Sequence, residues 1–283
     1  MSSMGSNKQT LQGEARWTGT GVHTGRPVHL RLKPSTAGAV IFYRTDLNGL
    51  ELRLDPAAAV ARHCTLVVRP EGSVQTIEHL LAALRMAGID SAAVEIDAEE
   101  VPILDGSARP FVETLMAIGL AALPQKRTHL QILKPFRLQD KEAFVSFEPC
   151  PGFKISYAID FPHPLIGRQE LSLELTPESF ASEIAPARTF GFMKDVEKLR
   201  SLGLARGAST DNTLVFNEAA VLNPPLRFPD EPVRHKILDL IGDLAVAGAP
   251  FLGQIRAEKA GHSLHLRALQ SLLRSRASWT WAE

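Results

Sequence analysis

Residues 28–33 (VHLRLK) alternate apolar and polar side chains, and 92–97 (AAVEID) do nearly the same. A period of two predicts half-buried strands. Over 153–161 the same period puts Phe153, Ile155, Tyr157, Ile159 and Phe161 on one face, and 143–148 and 251–257 read as further strands. Elsewhere the pattern is helical. A helix is expected over 77–87, capped by Thr76 and stopped by Gly88, and another over 109–118, with Pro110 in its first turn and Gly119 at its end. A short helix at 194–202 closing on Gly203 lies between apolar segments 189–193 and 213–216. Longer helices are expected at 231–247 and 263–275.

Strands and helices mix without regular βαβ alternation, so the fold class is α+β. There is no internal repeat and no low-complexity tract. Residues 122–128 (ALPQKRT) are polar and contain a proline, and mark the expected boundary between two domains. The polar start of the chain reads as a disordered leader, placed at 1–13, with domains at 14–125 and 129–283.

The 283 residues suffice for one large domain or two small ones. Hydrophobic residues are 45% and charged residues 22%, enough apolar material for a sizeable core. The 31 basic and 31 acidic side chains cancel, which argues against a general nucleic-acid binder. Cys64 and Cys150 are too few for a disulfide framework and fit a reducing cytoplasm. No apolar run approaches the roughly 20 residues that span a bilayer, so no stable membrane insertion is expected.

The strongest chemical signal is 233–243 (VRHKILDLIGD). Residues four apart share a helix face, so His235, Asp239 and Asp243 form one stripe, opposite Ile237, Leu240, Ile241 and Leu244. An imidazole and a carboxylate one turn apart can both reach one zinc ion. A solvated face with an ordinary ion pair has the same spacing. Glu78 and His79 are adjacent at the start of another helix, where an acid also suits the helix dipole. The H-E-x-x-H pattern is absent. Gly261 before His262 allows close backbone approach to a ligand.

Among the nine histidines, His29, His129 and His265 are assigned to surface or packing. Three glycines surround His23 in a tight loop over 19–25, Asp105 and Ser107 read as turn and cap residues, and 187–192 (ARTFGF) reads as a binding loop or a strand end.

Taken in order, Gly21-Val-His-Thr-Gly25, Thr76-Ile-Glu-His-Leu80, Pro102-Ile-Leu-Asp-Gly-Ser107, Ala187-Arg-Thr-Phe-Gly-Phe-Met193, Val233-Arg-His-Lys236 with Asp239 and Gly242-Asp243, and Gly261-His262 run along nearly the whole chain. This series resembles the UDP-3-O-acyl-N-acetylglucosamine deacetylase family, zinc enzymes of lipid A synthesis. The resemblance implies two similar domains, each a β-sheet layered on helices and each with an insert, at about 44–70 and 189–217, with the site in the cleft between them.

It also implies roles. His79, His235 and Asp239 match zinc ligands. Glu78 matches a general base, His262 a general acid and Asp243 its carboxylate partner. Thr189 and Lys236 match residues near the oxyanion and substrate. Phe161, Phe190 and Phe192 match residues lining the substrate site. The apolar side chains of the second insert, Met193 and Val196 among them, are expected to line a conduit for a fatty acyl chain. The implied cofactor is Zn2+, the partner a UDP-linked acylated amino sugar, and the protein a cytoplasmic monomer. No role follows for Cys64, whose surroundings depart from the family pattern, or for His23. Two alternatives stand beside this reading: another zinc-dependent amide or peptide hydrolase, and a non-enzymatic binding protein on the same fold.

Overall fold

The computed structural model describes residues 7–283. Its first half is built on a five-stranded sheet in the order Ala15–Thr20, Pro27–Pro34, Ala92–Ile96, Val40–Arg44, Leu50–Arg53. All neighbours are antiparallel except the pair formed by Ala92–Ile96 and Val40–Arg44. The alternation of 28–33 appears as expected: Val28, Leu30 and Leu32 are buried, while His29 reaches solvent and pairs with Asp97 at 2.7 Å. Two helices, Glu78–Met86 and Arg109–Ile118, cover the apolar face. Trp17 meets Phe111 there edge-on, at 5.1 Å between ring centres.

The second half repeats the plan with seven strands, running from Phe136–Asp140 through Ala143–Glu148, Phe251–Glu258 and His129–Ile132 to Trp279–Ala282. Phe153–Phe161 joins Phe251–Glu258 in parallel, and Gly167–Glu174 pairs antiparallel outside it. The helices Glu231–Ala245 and His262–Arg274 lie on this sheet. The two helical layers face each other, and the Glu78 helix packs directly on the Glu231 helix. Gly242 makes that approach possible, since a Cβ there would sit 2.0 Å from the Glu78 carbonyl oxygen. Gly106 has the same role at a second contact: its φ is +84°, and a Cβ would fall 1.9 Å from the Asn212 carbonyl oxygen. This is an α+β fold of two layered halves, as the sequence implies.

Four expectations are corrected. The leader does not run to residue 13: residues 1–6 lie outside the described residues, but Asn7–Leu11 is a strand. Leu11 is buried, Gln9 N donates to Asp90 at 2.8 Å, and Thr10 Oγ1 donates to the Ser91 carbonyl at 2.8 Å. Its partner is Leu120–Lys126, so the expected linker is largely a strand as well. Pro124 is tolerated because the ribbon has only two strands, with an irregularity between Asn7 and Gln9. The first insert is displaced, because Leu50–Arg53 belongs to the main sheet and the small three-stranded sheet spans Ala59–Ala61, Thr65–Arg69 and Gly72–Gln75. Finally, Thr76 does not cap the Glu78 helix. Its φ is +56°, and its hydroxyl donates to buried Glu100 at 2.9 Å.

The second excursion contains the parallel pair Phe190–Phe192 and Leu214–Phe216, joined by the helix Val196–Ser201. No helix among the described residues is long and apolar enough to cross a membrane.

Candidate metal centre

The Glu231 helix is buried on nearly every side, including His235, Asp239 and Asp243, which are at most 2% exposed. The solvated-face alternative is thereby overturned. A polar stripe under cover must be paired or hold a ligand, and the Glu78 helix supplies what it faces. His79 Nε2 lies 3.7 Å from Asp239 Oδ1, and His235 Nε2 lies 3.2 Å from the same oxygen. The two imidazoles meet edge-on at 4.9 Å. One ligand atom from each of the three residues falls within 4.8 Å of the others, close enough to hold one ion.

His235 Nδ1 is 2.9 Å from the Ala187 carbonyl, which makes Nδ1 the donor and leaves Nε2 free to ligate. Two nitrogens and a carboxylate oxygen, buried and with one imidazole tautomer fixed, are the donor chemistry of a catalytic zinc site.

Asp239 is held well below the usual carboxylate range. Burial is the largest influence and opposes ionisation, but Lys236, His235 and His262 together outweigh it. Lys236 Nζ donates to Asp239 Oδ2 at 2.7 Å and stands 5.6 Å over the Phe190 ring, linking the cluster to the aromatic residues. Burial lowers the pKa of Lys236, yet Asp239 raises it above its ordinary value.

Glu78 precedes His79 and is 4% exposed. Burial raises its pKa, opposed by His262 and His79. Thr65 N donates to its Oε2 at 3.1 Å. On the other side, Gly261 has extended backbone and starts the helix that carries His262. His262 Nε2 points toward Asp239 Oδ2 at 3.8 Å, and its Nδ1 lies 2.8 Å from Asp243 Oδ2. Burial disfavours the imidazolium, but Asp243 and then Asp239 prevail and push the pKa up to about 10.

Asp243 serves three donors: His262, His265 Nδ1 at 2.7 Å, and the Thr65 hydroxyl. Burial opposes its charge, but His262 and His265 bring its pKa down to about 2.

His265 therefore does not belong with the packing histidines. It is fully buried, and the Tyr157 hydroxyl lies 2.9 Å from its Nε2 and 2.8 Å from the Ala260 carbonyl. Sequence reasoning missed His265, Tyr157 and Thr65. The i, i+3 spacing of His262 and His265 was the available signal for the first.

Of the other expected residues, Phe190 reaches the cluster through Lys236. Thr189 is half-buried, with its backbone tied to Gly106 and Leu214. Phe161 meets Phe190 at 5.5 Å and Phe192 at 5.7 Å. Met193 is 45% exposed and Val196 half-buried, whereas Leu214 is fully buried and serves packing. The His23 loop is clamped to the second half: Arg206 N and Gly207 N donate to the carbonyls of His23 and Val22, both at 3.1 Å. Cys64 is buried and its thiol is pushed up by that burial, which disfavours the thiolate that metal binding needs. Asp105 is structural as expected, pairing with Arg227 at 2.9 Å.

Two layered α+β halves meeting at a buried His-His-Asp cluster, with a glutamate beside it, define a metal-dependent hydrolase. The model of the LpxC family, UDP-3-O-acyl N-acetylglycosamine deacetylase, matches residues 8–274, and the chain belongs to that family. Relatives named UDP-3-O-acyl-N-acetylglucosamine deacetylase are 44% identical in Thermosynechococcus vestitus, over 95% of each chain, and 41% identical in Cellvibrio japonicus, over 97% of this chain and 92% of the relative. The relative of the same name from Vibrio parahaemolyticus is 42% identical, again over 97% and 92%.

Proposed function

We propose that this chain hydrolyses the N-acetyl group of UDP-3-O-acyl-N-acetylglucosamine, releasing acetate, with Zn2+ held by His79, His235 and Asp239. The observation that carries the reading is the convergence of those three ligand atoms within 4.8 Å, with buried Glu78 adjoining His79 in the chain and His262 Nε2 3.8 Å from Asp239. When bound, zinc supplies a Lewis acid for the amide carbonyl and lowers the pKa of water toward about 7.

The protein supplies the proton transfers. Glu78, its proton affinity raised by burial, takes a proton from the attacking water. As the water oxygen bonds to the carbonyl carbon, negative charge grows on the carbonyl oxygen, and its stabilisation falls to the Thr189 hydroxyl and the Lys236 ammonium. The C–N bond then breaks. His262, held as imidazolium by Asp243, gives its proton to the departing nitrogen, since an amine leaves poorly without one. The products are acetate and the free amino sugar nucleotide.

Phe161, Phe190 and Phe192 line the substrate side, and exposed Met193 with half-buried Val196 leads the acyl chain away along the 189–217 excursion. Both sides of the site come from one chain, which supports action as a monomer, and the free Cys64 and Cys150 fit a reducing cytoplasm. The test is acetate release from the acylated sugar nucleotide by purified protein, with and without a zinc chelator. Turnover of other amides but not of this substrate would replace the reading.

A further inference from the structure

Beyond the metal cluster, near the C-terminal ends of the two central helices, the halves enclose a cavity of about 580 Å³. Its size falls within the range of small-molecule sites. Arg85 and Met86 from the Glu78 helix, Leu244 from the Glu231 helix, and Phe153, Leu175 and Phe251 line it. Most of that wall is apolar, but one part is charged.

Arg85, Asp90 and Arg127 all line the cavity, and their side chains are only 11%, 4% and 6% exposed. Arg127 and Asp90 are closely matched: Arg127 Nε donates to Asp90 Oδ2 at 2.8 Å, and the same oxygen accepts from Gln9 N. Arg85 is left over. Among the described residues it reaches only Asp90 Oδ1, at 3.5 Å, and its buried Nε has no partner there. Two guanidinium groups thus face one carboxylate, and a buried charge without full compensation is costly. Burial lowers the pKa of Arg85 to about 10, which still leaves it charged at neutral pH.

We propose that this cavity binds a small amphipathic monoanion, a carboxylate on an apolar chain, with the anion on Arg85 and the chain along the Met86, Leu244 and Phe251 wall. Charge selects this class over polyphosphates. Among the buried groups Arg85, Arg127 and Asp90 the excess is a single positive charge, whereas Glu174 and Glu178, which also line the cavity, are solvent-exposed and disfavour a ligand of higher negative charge. The site is separate from the metal cluster and does not depend on the proposed hydrolysis.

The test is calorimetric titration of the zinc-loaded protein with octanoate, decanoate and the neutral decanol, in wild type and Arg85→Gln. Decanoate is expected to bind wild type about fifteenfold more tightly than octanoate, from two buried CH₂ groups. It is also expected to bind Arg85→Gln at least tenfold more weakly, while decanol does not distinguish the two. Deacetylation by Arg85→Gln should stay at the wild-type rate.

A fatty carboxylate could also enter the acyl route at 190–216, so location is read separately, with a diazirine-bearing decanoate. Cross-links to 85–90 or 241–251 support the site even if Arg85→Gln fails to fold. Cross-links confined to 190–216, equal affinity in a folded Arg85→Gln, or displacement of decanoate by equimolar inorganic phosphate would overturn it.

Discussion

Asp243 holds the His262 ring through Nδ1 at 2.8 Å, which aims the opposite ring nitrogen at Asp239, 3.8 Å away. The charge on His262 follows from this contact. Asp243 is the largest influence raising its pKa to about 10 against the opposing effect of burial. An imidazole ordinarily titrates near about 6.5. The charged form therefore stabilises the folded chain fully below that value, and the stabilisation is lost as pH rises through about 10. Asp243→Asn should lower the His262 pKa, so the alkaline limb of kcat/KM should move to lower pH. Ring NMR of His262 in metal-free protein provides the direct check. In zinc-loaded protein the value should be lower still, because the ion neutralises Asp239, the second carboxylate that raises it. An alkaline limb unchanged in Asp243→Asn would detach Asp243 from this role.

Glu78 tests the other proton. Its carboxyl is buried and oriented by Thr65 N at 3.1 Å, and it need not ligate for the cluster to form. Glu78→Gln keeps the shape, removes the base, and should retain stoichiometric zinc while losing about 10²–10⁴-fold in kcat, the usual worth of a positioned base. Metal analysis beside steady-state kinetics separates the two readouts. Near-normal turnover by Glu78→Gln would exclude it as the base.

Two of the three residues of the His79, His235 and Asp239 cluster were legible from local spacing, and the third was not. The i, i+4 pair His235 and Asp239 sits on one helix and can be read from the sequence. Nothing in local periodicity ties it to His79, which arrives on a different helix across the Gly242 contact. Only the ordered series of motifs supplied that link. His265 was missed because it lies between Leu264 and Leu266 on a helix, where a histidine reads as packing, and its partner Asp243 is on another helix. Thr65 begins a short strand in the small sheet with no distinguishing pattern. The 120–126 strand was hidden by its proline and polar residues, since a two-stranded ribbon needs little apolar alternation to form.

The assignment of three ligands makes a prediction about metal content. Zinc affinity should fall steeply in His79→Ala and in His235→Ala, and the double variant should hold no stoichiometric zinc by atomic emission. Because the ligands come from both halves, metal that binds only the folded chain should raise the melting temperature. Chelation should therefore lower Tm in wild type and leave it unchanged in the double variant. Full zinc occupancy in the double variant would move the site elsewhere.

Val196 tests the acyl route. It begins the Val196–Ser201 helix and is half-buried, beside exposed Met193. Each acyl CH₂ buried along such a route contributes about 0.8 kcal/mol, or about fourfold in kcat/KM. Wild type should prefer long-acyl over short-acyl substrate accordingly, and Val196→Glu should flatten the preference while its circular dichroism stays native. A folded Val196→Glu with the preference intact would place the route along other residues of the excursion.

Gly242 tests whether the interface between the helical layers sets the geometry of the site. Adding only a methyl group, Gly242→Ala brings its Cβ to 2.0 Å from the Glu78 carbonyl oxygen and 2.7 Å from the Glu78 Cα. Backbone cannot yield as a flexible side chain can, so the helices must separate. Overpacking of this kind costs about 1–3 kcal/mol, which thermal or denaturant unfolding can resolve. The displacement falls on the residue before His79, and it should therefore shift Glu78 and His79 together relative to His235 and Asp239 on the facing helix. Zinc affinity and kcat should both drop in folded Gly242→Ala, although the substituted atom touches neither metal nor substrate. A folded Gly242→Ala that loses stability but keeps native zinc affinity and kcat would show that the ligands adjust independently of this contact.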